Sequence, residues 1–175
     1  PIQYARKLTG SRRSAQANHQ LGMVLAFVAG AAYAGGFLAV HQYTSHMTGI
    51  VSAMADHLAL GQLRDNLAGF GALLSFIAGA ACSAILVNFA RRRRLHSEFA
   101  LPLMIEALLL LGFGALGERL SHVAGLFVPL TVMLLSFIMG LQNALITKLS
   151  HAEIRTTHIT GLVTDIGIEL GKMAY

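Results

Sequence analysis

The sequence of 175 residues contains no tryptophan, one cysteine, three prolines and only 12% charged residues. The single cysteine, Cys82, excludes a disulfide framework. Because soluble domains usually carry about 25% charged residues, so low a charge content excludes an ordinary soluble fold. Without tryptophan, any aromatic belt at a membrane surface has to be built from tyrosine and phenylalanine. These absences favour a chain that is embedded in lipid.

Long uncharged stretches fill most of the sequence, in which 55% of the residues are hydrophobic. No Asp, Glu, Lys or Arg occurs between Arg13 and Asp56, over 67–90 or over 120–147. About 20 apolar residues suffice for a helix to cross the hydrocarbon layer. The pattern predicts an all-α polytopic membrane protein with crossings over about 21–43, 67–90, 102–117 and 129–148. Two short helices are expected over about 48–60, ended by Gly61, and over about 160–171.

The net charge of +5 is concentrated next to the apolar stretches, in the N-terminal segment and in the run Arg91–Arg94. Nucleic-acid binding would need a basic face on a soluble domain, so this class of partner is excluded. Basic residues at the ends of spans favour the cytoplasmic side. We therefore expect the N-terminus of this membrane protein to lie in the cytoplasm.

One phrase occurs twice in the sequence. Thr44–Val51 (TSHMTGIV) returns as Thr156–Val163 (TTHITGLV), 112 positions later if Gly49 is compared with Gly161. Upstream, Phe27–Gly30 is matched by Phe137–Gly140. Repeats of this kind are typical of transporters built from two related halves. The predicted units are a basic tail over 1–20, a first repeat over 21–118, a connecting turn over 119–128 and a partial second repeat over 129–175.

The positive charges also predict how the halves are arranged. If the first short helix does not cross the membrane, Arg91–Arg94 and Lys148 lie on the same side as the N-terminus. Each unit then has three crossings, and the second is inverted relative to the first. Counterparts of the second and third spans are missing from the second unit, so either the chain is part of a longer one or a homo-oligomer completes it.

The repeated phrase is the candidate site. Unpaired amides at a helix N-terminus attract anions and polar groups, threonine caps such ends, and glycine admits a ligand to the backbone. The predicted solute-binding residues are His46, Thr48, Gly49, His158, Thr160 and Gly161. Further polar residues fall within the apolar stretches, where ionisable groups usually face a cavity or a partner. Asp56, Asp165 and Glu106 are candidates for a charge or proton relay, and Gln142 and Asn143 for hydrogen bonds between helices.

These observations predict a membrane transporter or channel-like protein for a small anionic or polar solute. The alternative is a structural or interaction protein in which the two phrases only cap and pack helices. An intramembrane enzyme is a third hypothesis, but the sequence contains no HExxH zinc motif, no GxSxG elbow and no phosphate-binding loop. Neither a cofactor nor a metal ion is expected.

Four segments resemble the YoaK family of uncharacterised bacterial inner-membrane proteins: the first span with Gly35–Leu38, then His46–Gly49, Met139–Ala144 and Thr156–Gly161. The resemblance covers about 21–175 and implies a bacterial inner-membrane protein of two three-helix units, with no established activity. Members commonly have asparagine after the Thr-Gly pair, where this chain has Ile50 and Leu162. Many also have an acidic or amide residue where this chain has Tyr33.

Overall fold

The computed structural model describes residues 14–40, 46–120, 124–149 and 158–174. Within these ranges the chain forms six α-helices and no strand. The helices are α1 (Ala15–Val40), α2 (Met47–Ala59), α3 (Leu63–Arg92), α4 (Ala100–Leu120), α5 (Ala124–Leu149) and α6 (His158–Met173). The basic segment 1–13 and part of each copy of the repeated phrase lie outside the described residues.

Three of the described helices are long and apolar enough to cross a membrane, over Gln16–Leu38, Asn66–Arg92 and Val128–Leu149. The α4 helix is apolar over a shorter stretch, Ala100–Ala115. The predicted all-α, polytopic membrane fold is thus confirmed. The α5 helix, however, begins at Ala124. The sequence had predicted that the fourth span starts five residues later, at Pro129. As a result, helices occupy most of the segment 119–128, in which a connecting turn was expected.

The two short helices are too short to cross the membrane. With a rise of about 1.5 Å per residue, α2 and α6 are about 20 and 24 Å long, whereas the hydrocarbon layer is about 30 Å thick. The α2 helix ends at the predicted place, because Gly61 takes a φ of +73°, in the left-handed region. Its amide donates to the carbonyl of Leu58 and so satisfies one of the last carbonyls of the helix.

The α3 helix lies at the centre of the fold and packs against α2, α5 and α6. Its crossing with α5 is made by two glycines. A Cβ atom at Gly79 would overlap the backbone carbonyl of Phe137, and one at Gly140 would overlap the carbonyl of Phe76. Small residues let membrane helices approach until their backbones touch, which maximises van der Waals packing. Glycine is therefore required on both sides of this crossing.

Small residues also join α6 to α3. A Cβ atom at Gly167 would lie 2.5 Å from the Cβ of Ala80, and one at Gly171 would lie 2.5 Å from the carbonyl oxygen of Ala81. The two glycines are four residues apart and share one face of α6. Since the later glycine meets the later part of α3, the two helices run in the same direction.

A cluster of buried side chains joins four helices at one end of the bundle, and consists of Leu21, Leu25, Val87, Phe99, Leu145 and Leu149. The start of α1, the end of α3, the start of α4 and the end of α5 therefore lie at the same end. It follows that α1 runs antiparallel to α3 and α5. We call this the basic end, because Arg91–Arg94 and Lys148 belong to it. Here the Nε of Arg91 donates to Glu98 Oε2 at 2.8 Å.

Candidate functional site

The two copies of the repeated phrase meet in one apolar cluster near the middle of the α3 span. The cluster, here called the Phe76 cluster, contains the buried side chains Met47, Phe76, Met139 and Val163, with Ala29, Ile50, Leu73, Ile77 and Ile159 packed against them. Met47 and Ile159 hold the same place in the two phrases, between the histidine and the threonine. The first residues of α2 and α6 are thus neighbours.

From this cluster the two short helices run apart. Ile50 and Met54 of α2 pack beside Gly69, so α2 points towards the N-terminal end of α3. The glycines of α6 follow α3 in the other direction, towards the basic end. The N-termini of both helices are therefore at mid-span and their C-termini are directed to opposite ends of the bundle. Helix dipoles arranged in this way place two partial positive charges near the same level.

The α2 helix begins one residue earlier than predicted. The sequence indicated Thr48 as the cap, but helical structure starts at Met47, and His46 is the N-cap residue with no side-chain cap hydrogen bond. The backbone carbonyl of His46 accepts from the amide of Ile50 at 3.1 Å. Its imidazole is exposed and packs edge-on against the ring of Tyr33, with 5.4 Å between ring centroids. Gly49 is also exposed, whereas Thr48 is half-buried.

The α6 helix carries a buried hydroxyl at its start. Thr160 is the third helical residue, and its Oγ1 has no hydrogen-bond partner among the described residues. The backbone carbonyl of Thr160 accepts from the Oγ1 of Thr164 at 2.8 Å. Gly161 is half-buried beside it. The side chain of His158 lies outside the described residues, although its backbone opens the helix.

The relay candidates are not brought together. Asp56 is exposed on α2 and Asp165 is half-buried on α6, and these helices run apart. Glu106 is 3% exposed on α4, and neither of its carboxylate oxygens has a hydrogen-bond partner in the described part of the chain. Among the described side chains, no group of three His, Cys, Asp or Glu is arranged to hold a metal ion.

The two amide side chains of α5 make different hydrogen bonds. The Nε2 of Gln142, which is fully buried, donates to the carbonyl of Leu25 at 2.9 Å and so links α5 to α1. The Nδ2 of Asn143 donates to the carbonyl of Met139, one turn back in its own helix. Only the first of these bonds therefore connects two helices.

Sequence reasoning did not single out the apolar members of the site. Met47 and Ile159 occupy one of the three positions at which the two copies of the phrase differ, and Phe76 lies outside the phrase. Met47 and Ile159 could have been identified from the sequence, because an apolar residue follows the histidine in both copies of the phrase. No local pattern marked Phe76, which acquires its role from the crossing of α3 with α5.

Comparisons with known proteins agree with the membrane fold. The chain is 28% identical over 134 residues to a UPF0700 transmembrane protein, YoaK, of Bacillus subtilis (strain 168). The match covers 75% of this chain and 57% of that relative, so the chain spans little more than half of the relative's length. No solved structure matches the chain.

A family model described as "Protein of unknown function (DUF1275)" matches residues 21–175, from the first turns of α1 through both short helices. The matched range contains the Phe76 cluster and both helix N-termini that adjoin it. The resemblance of the sequence to YoaK-like proteins is therefore confirmed, and this membrane protein belongs to the DUF1275 family.

Proposed function

We propose that the chain forms the core of a transporter or channel-like protein for a small anionic or polar solute, in the bacterial inner membrane. One observation carries this proposal: the N-termini of α2 and α6 lie side by side at the Phe76 cluster, near the middle of the α3 span. Paired short helices that point their N-termini at a midplane site are a recurring solution for binding anionic groups in transporters. The proposal rests on this geometry and not on the name of any relative.

The groups that would contact the solute differ between the two helices. At α2, the exposed imidazole of His46 can donate a hydrogen bond. At α6, the buried Oγ1 of Thr160 and the first amides are available to a polar ligand. A buried hydroxyl that makes no hydrogen bond is costly, which favours a ligand or water as its partner. Gly49 and Gly161 would let that ligand reach the backbone.

Access to this site would require movement. Apolar side chains of the Phe76 cluster fill the space between the two helix N-termini, and Met47 and Phe76 are fully buried. We propose that α2 and α6 shift against α3 to admit the solute. Because Asp56, Asp165 and Glu106 are not brought together, each would adjust the local charge separately and not as a member of one proton relay. The small-residue contacts of Gly167 and Gly171 provide a smooth surface for such sliding.

The proposal can be tested with the protein reconstituted in liposomes. Chloride influx would be followed with a halide-sensitive dye, and glycerol influx by light scattering. Replacing Thr160 with valine keeps the shape of the side chain but removes its hydroxyl. We expect flux to fall about tenfold, which corresponds to the loss of one hydrogen bond of about 1.4 kcal/mol.

The matched control is Ser83→Ala. Ser83 also has a fully buried hydroxyl with no partner among the described residues, but it lies on α3 away from both phrases. Its replacement should leave flux unchanged. Equal flux in the Thr160→Val protein and the unmodified protein would contradict a solute contact at this hydroxyl, provided that both are monodisperse. His46→Ala and His158→Ala should each reduce flux as well.

A structural or interaction role is the second candidate, and the full burial of Met47 favours it. In that case the repeated phrase exists to join α2 and α6 to α3. Liposomes would then show neither chloride nor glycerol flux above protein-free vesicles, and the His46→Ala and His158→Ala proteins would lose stability instead.

A further inference from the structure

The helices α5 and α1, which correspond in the two copies of the repeat, differ in whether another helix covers the corresponding face. On α5, Gly140 and Ala144 are buried against α3. Their counterparts on α1 are Gly30 and Ala34, in the register that pairs Phe27–Gly30 with Phe137–Gly140. Both counterparts are exposed, and a Cβ atom at Gly30 would meet nothing within 4 Å. The face of α1 that corresponds to the α3-binding face of α5 is therefore open.

The short helices show the same difference. In the register of the repeated phrase, Gly167 and Gly171 of α6 correspond to Ala55 and Ala59 of α2. The glycines are packed against α3, whereas both alanines are exposed. Ala55 also borders an open groove of about 590 Å³, which is lined by Met54, Ala55, Leu58, Asn66, Leu67 and Phe70.

We propose that this open α1/α2 face, formed by the exposed small residues of both helices and the adjoining groove, receives a second helix of the α3 type. That helix would be carried by the family proteins outside the stretch that this chain spans. The relative from Bacillus subtilis has the necessary length, because the match covers only 57% of it. The proposal rests on the repeat architecture and is independent of whether a solute is transported.

Two features of the packing argue against a second copy of the chain, or lipid, as the occupant of this face. The α3 helix of a second copy is already packed against its own α5 and α6, so its glycine-bearing surface is not free to cover α1. Small residues in contact with lipid leave shallow grooves that acyl chains fill poorly, whereas a helix with a matching small surface packs closely. A separate α3-type helix meets both conditions.

Fluorescence provides a direct test, because the chain contains no tryptophan. Phe27 is 77% exposed on the open face, so Phe27→Trp places the only indole there. In bilayers of brominated phospholipid this fluorophore should be strongly quenched. Adding a peptide with the sequence of residues 63–92 should at least halve the quenching, since the peptide would displace lipid from α1.

Two controls make the result specific. Leu111→Trp places the fluorophore on α4 at a site that is 70% exposed, and the peptide should leave its quenching unchanged. A peptide carrying Gly79→Leu should not protect the fluorophore at position 27, because its backbone could not approach α1. Fusing residues 63–92 after Tyr175 supplies the helix in the same chain, so that poor insertion of the free peptide does not decide the outcome.

Two results would overturn the proposal. If quenching at position 27 persists with both the peptide and the fusion, the face is covered by lipid. If quenching falls as the protein-to-lipid ratio rises without any peptide, a second copy of the chain covers it. Loss of solute flux in the same preparations bears only on the transport proposal, so the two hypotheses fail separately.

Discussion

Gly140→Ala is expected to disrupt the bundle as strongly as any single-methyl substitution in the described part of the chain. The added Cβ would overlap the backbone carbonyl of Phe76, and the facing glycine, Gly79, leaves no side chain that could move aside. Overpacking usually costs 1–3 kcal/mol, and a clash with backbone belongs at the upper end, so we expect a loss of about 3 kcal/mol. The thermal midpoint in detergent, followed by size-exclusion chromatography, measures the effect.

The control for this substitution is Gly112→Ala on α4, where a Cβ atom would meet nothing within 4 Å. Alanine has the higher helix propensity, so this variant should be unchanged or more stable by up to about 1 kcal/mol. If both variants unfolded at the same temperature, the close crossing of α3 and α5 would be refuted.

Met47→Ala is the second large effect that we expect. Met47 is fully buried in the Phe76 cluster, and truncation would leave a cavity where the two repeated phrases meet. Replacing a methionine that is buried in a core with alanine typically lowers the free energy of unfolding by 2–5 kcal/mol. Because the unfolded helices of a membrane protein remain in an apolar medium, much of the transfer free energy is absent, and about 2 kcal/mol is expected.

Met104→Ala is the matched control, since this side chain is 56% exposed on α4 and fills no cluster of buried residues. Its stability should change by less than about 0.5 kcal/mol. A Met47→Ala protein as stable as the Met104→Ala protein would show that α2 is not anchored at mid-span. The solute site that is proposed at the N-terminus of α2 would then have no structural support.

The spans and short helices could be predicted from sequence because each leaves a local signature. Uncharged runs longer than about 20 residues indicate crossings, and the glycine at position 61 indicates the end of α2 by its conformational freedom. Pro129 misled the prediction of the start of α5, because α5 tolerates this proline as its sixth residue, inside the helix, whereas proline is usually found in the first turn. Helix boundaries depend on such tolerances, which a sequence pattern does not resolve.

The candidate site was only partly predictable. The duplication identified His46, Thr48 and their counterparts as equivalent, but not that an apolar cluster separates the two helix N-termini. That cluster depends on Phe76, and the position of Phe76 depends on contacts between residues more than 60 positions apart along the chain. The same holds for the buried Glu106, whose surroundings come from packing and not from neighbouring residues.

The central claim is that α2 and α6 start together at mid-span and end on opposite sides of the membrane. Single cysteines in a Cys82→Ala background test it, at Leu60 just after α2 and at Met173, the last residue of α6, both of which are exposed. A membrane-impermeant thiol reagent would be applied to spheroplasts and to inverted vesicles. We predict labelling of Leu60→Cys only in spheroplasts and of Met173→Cys only in inverted vesicles. Labelling of both positions from the same side would contradict the inverted arrangement and the solute site that depends on it.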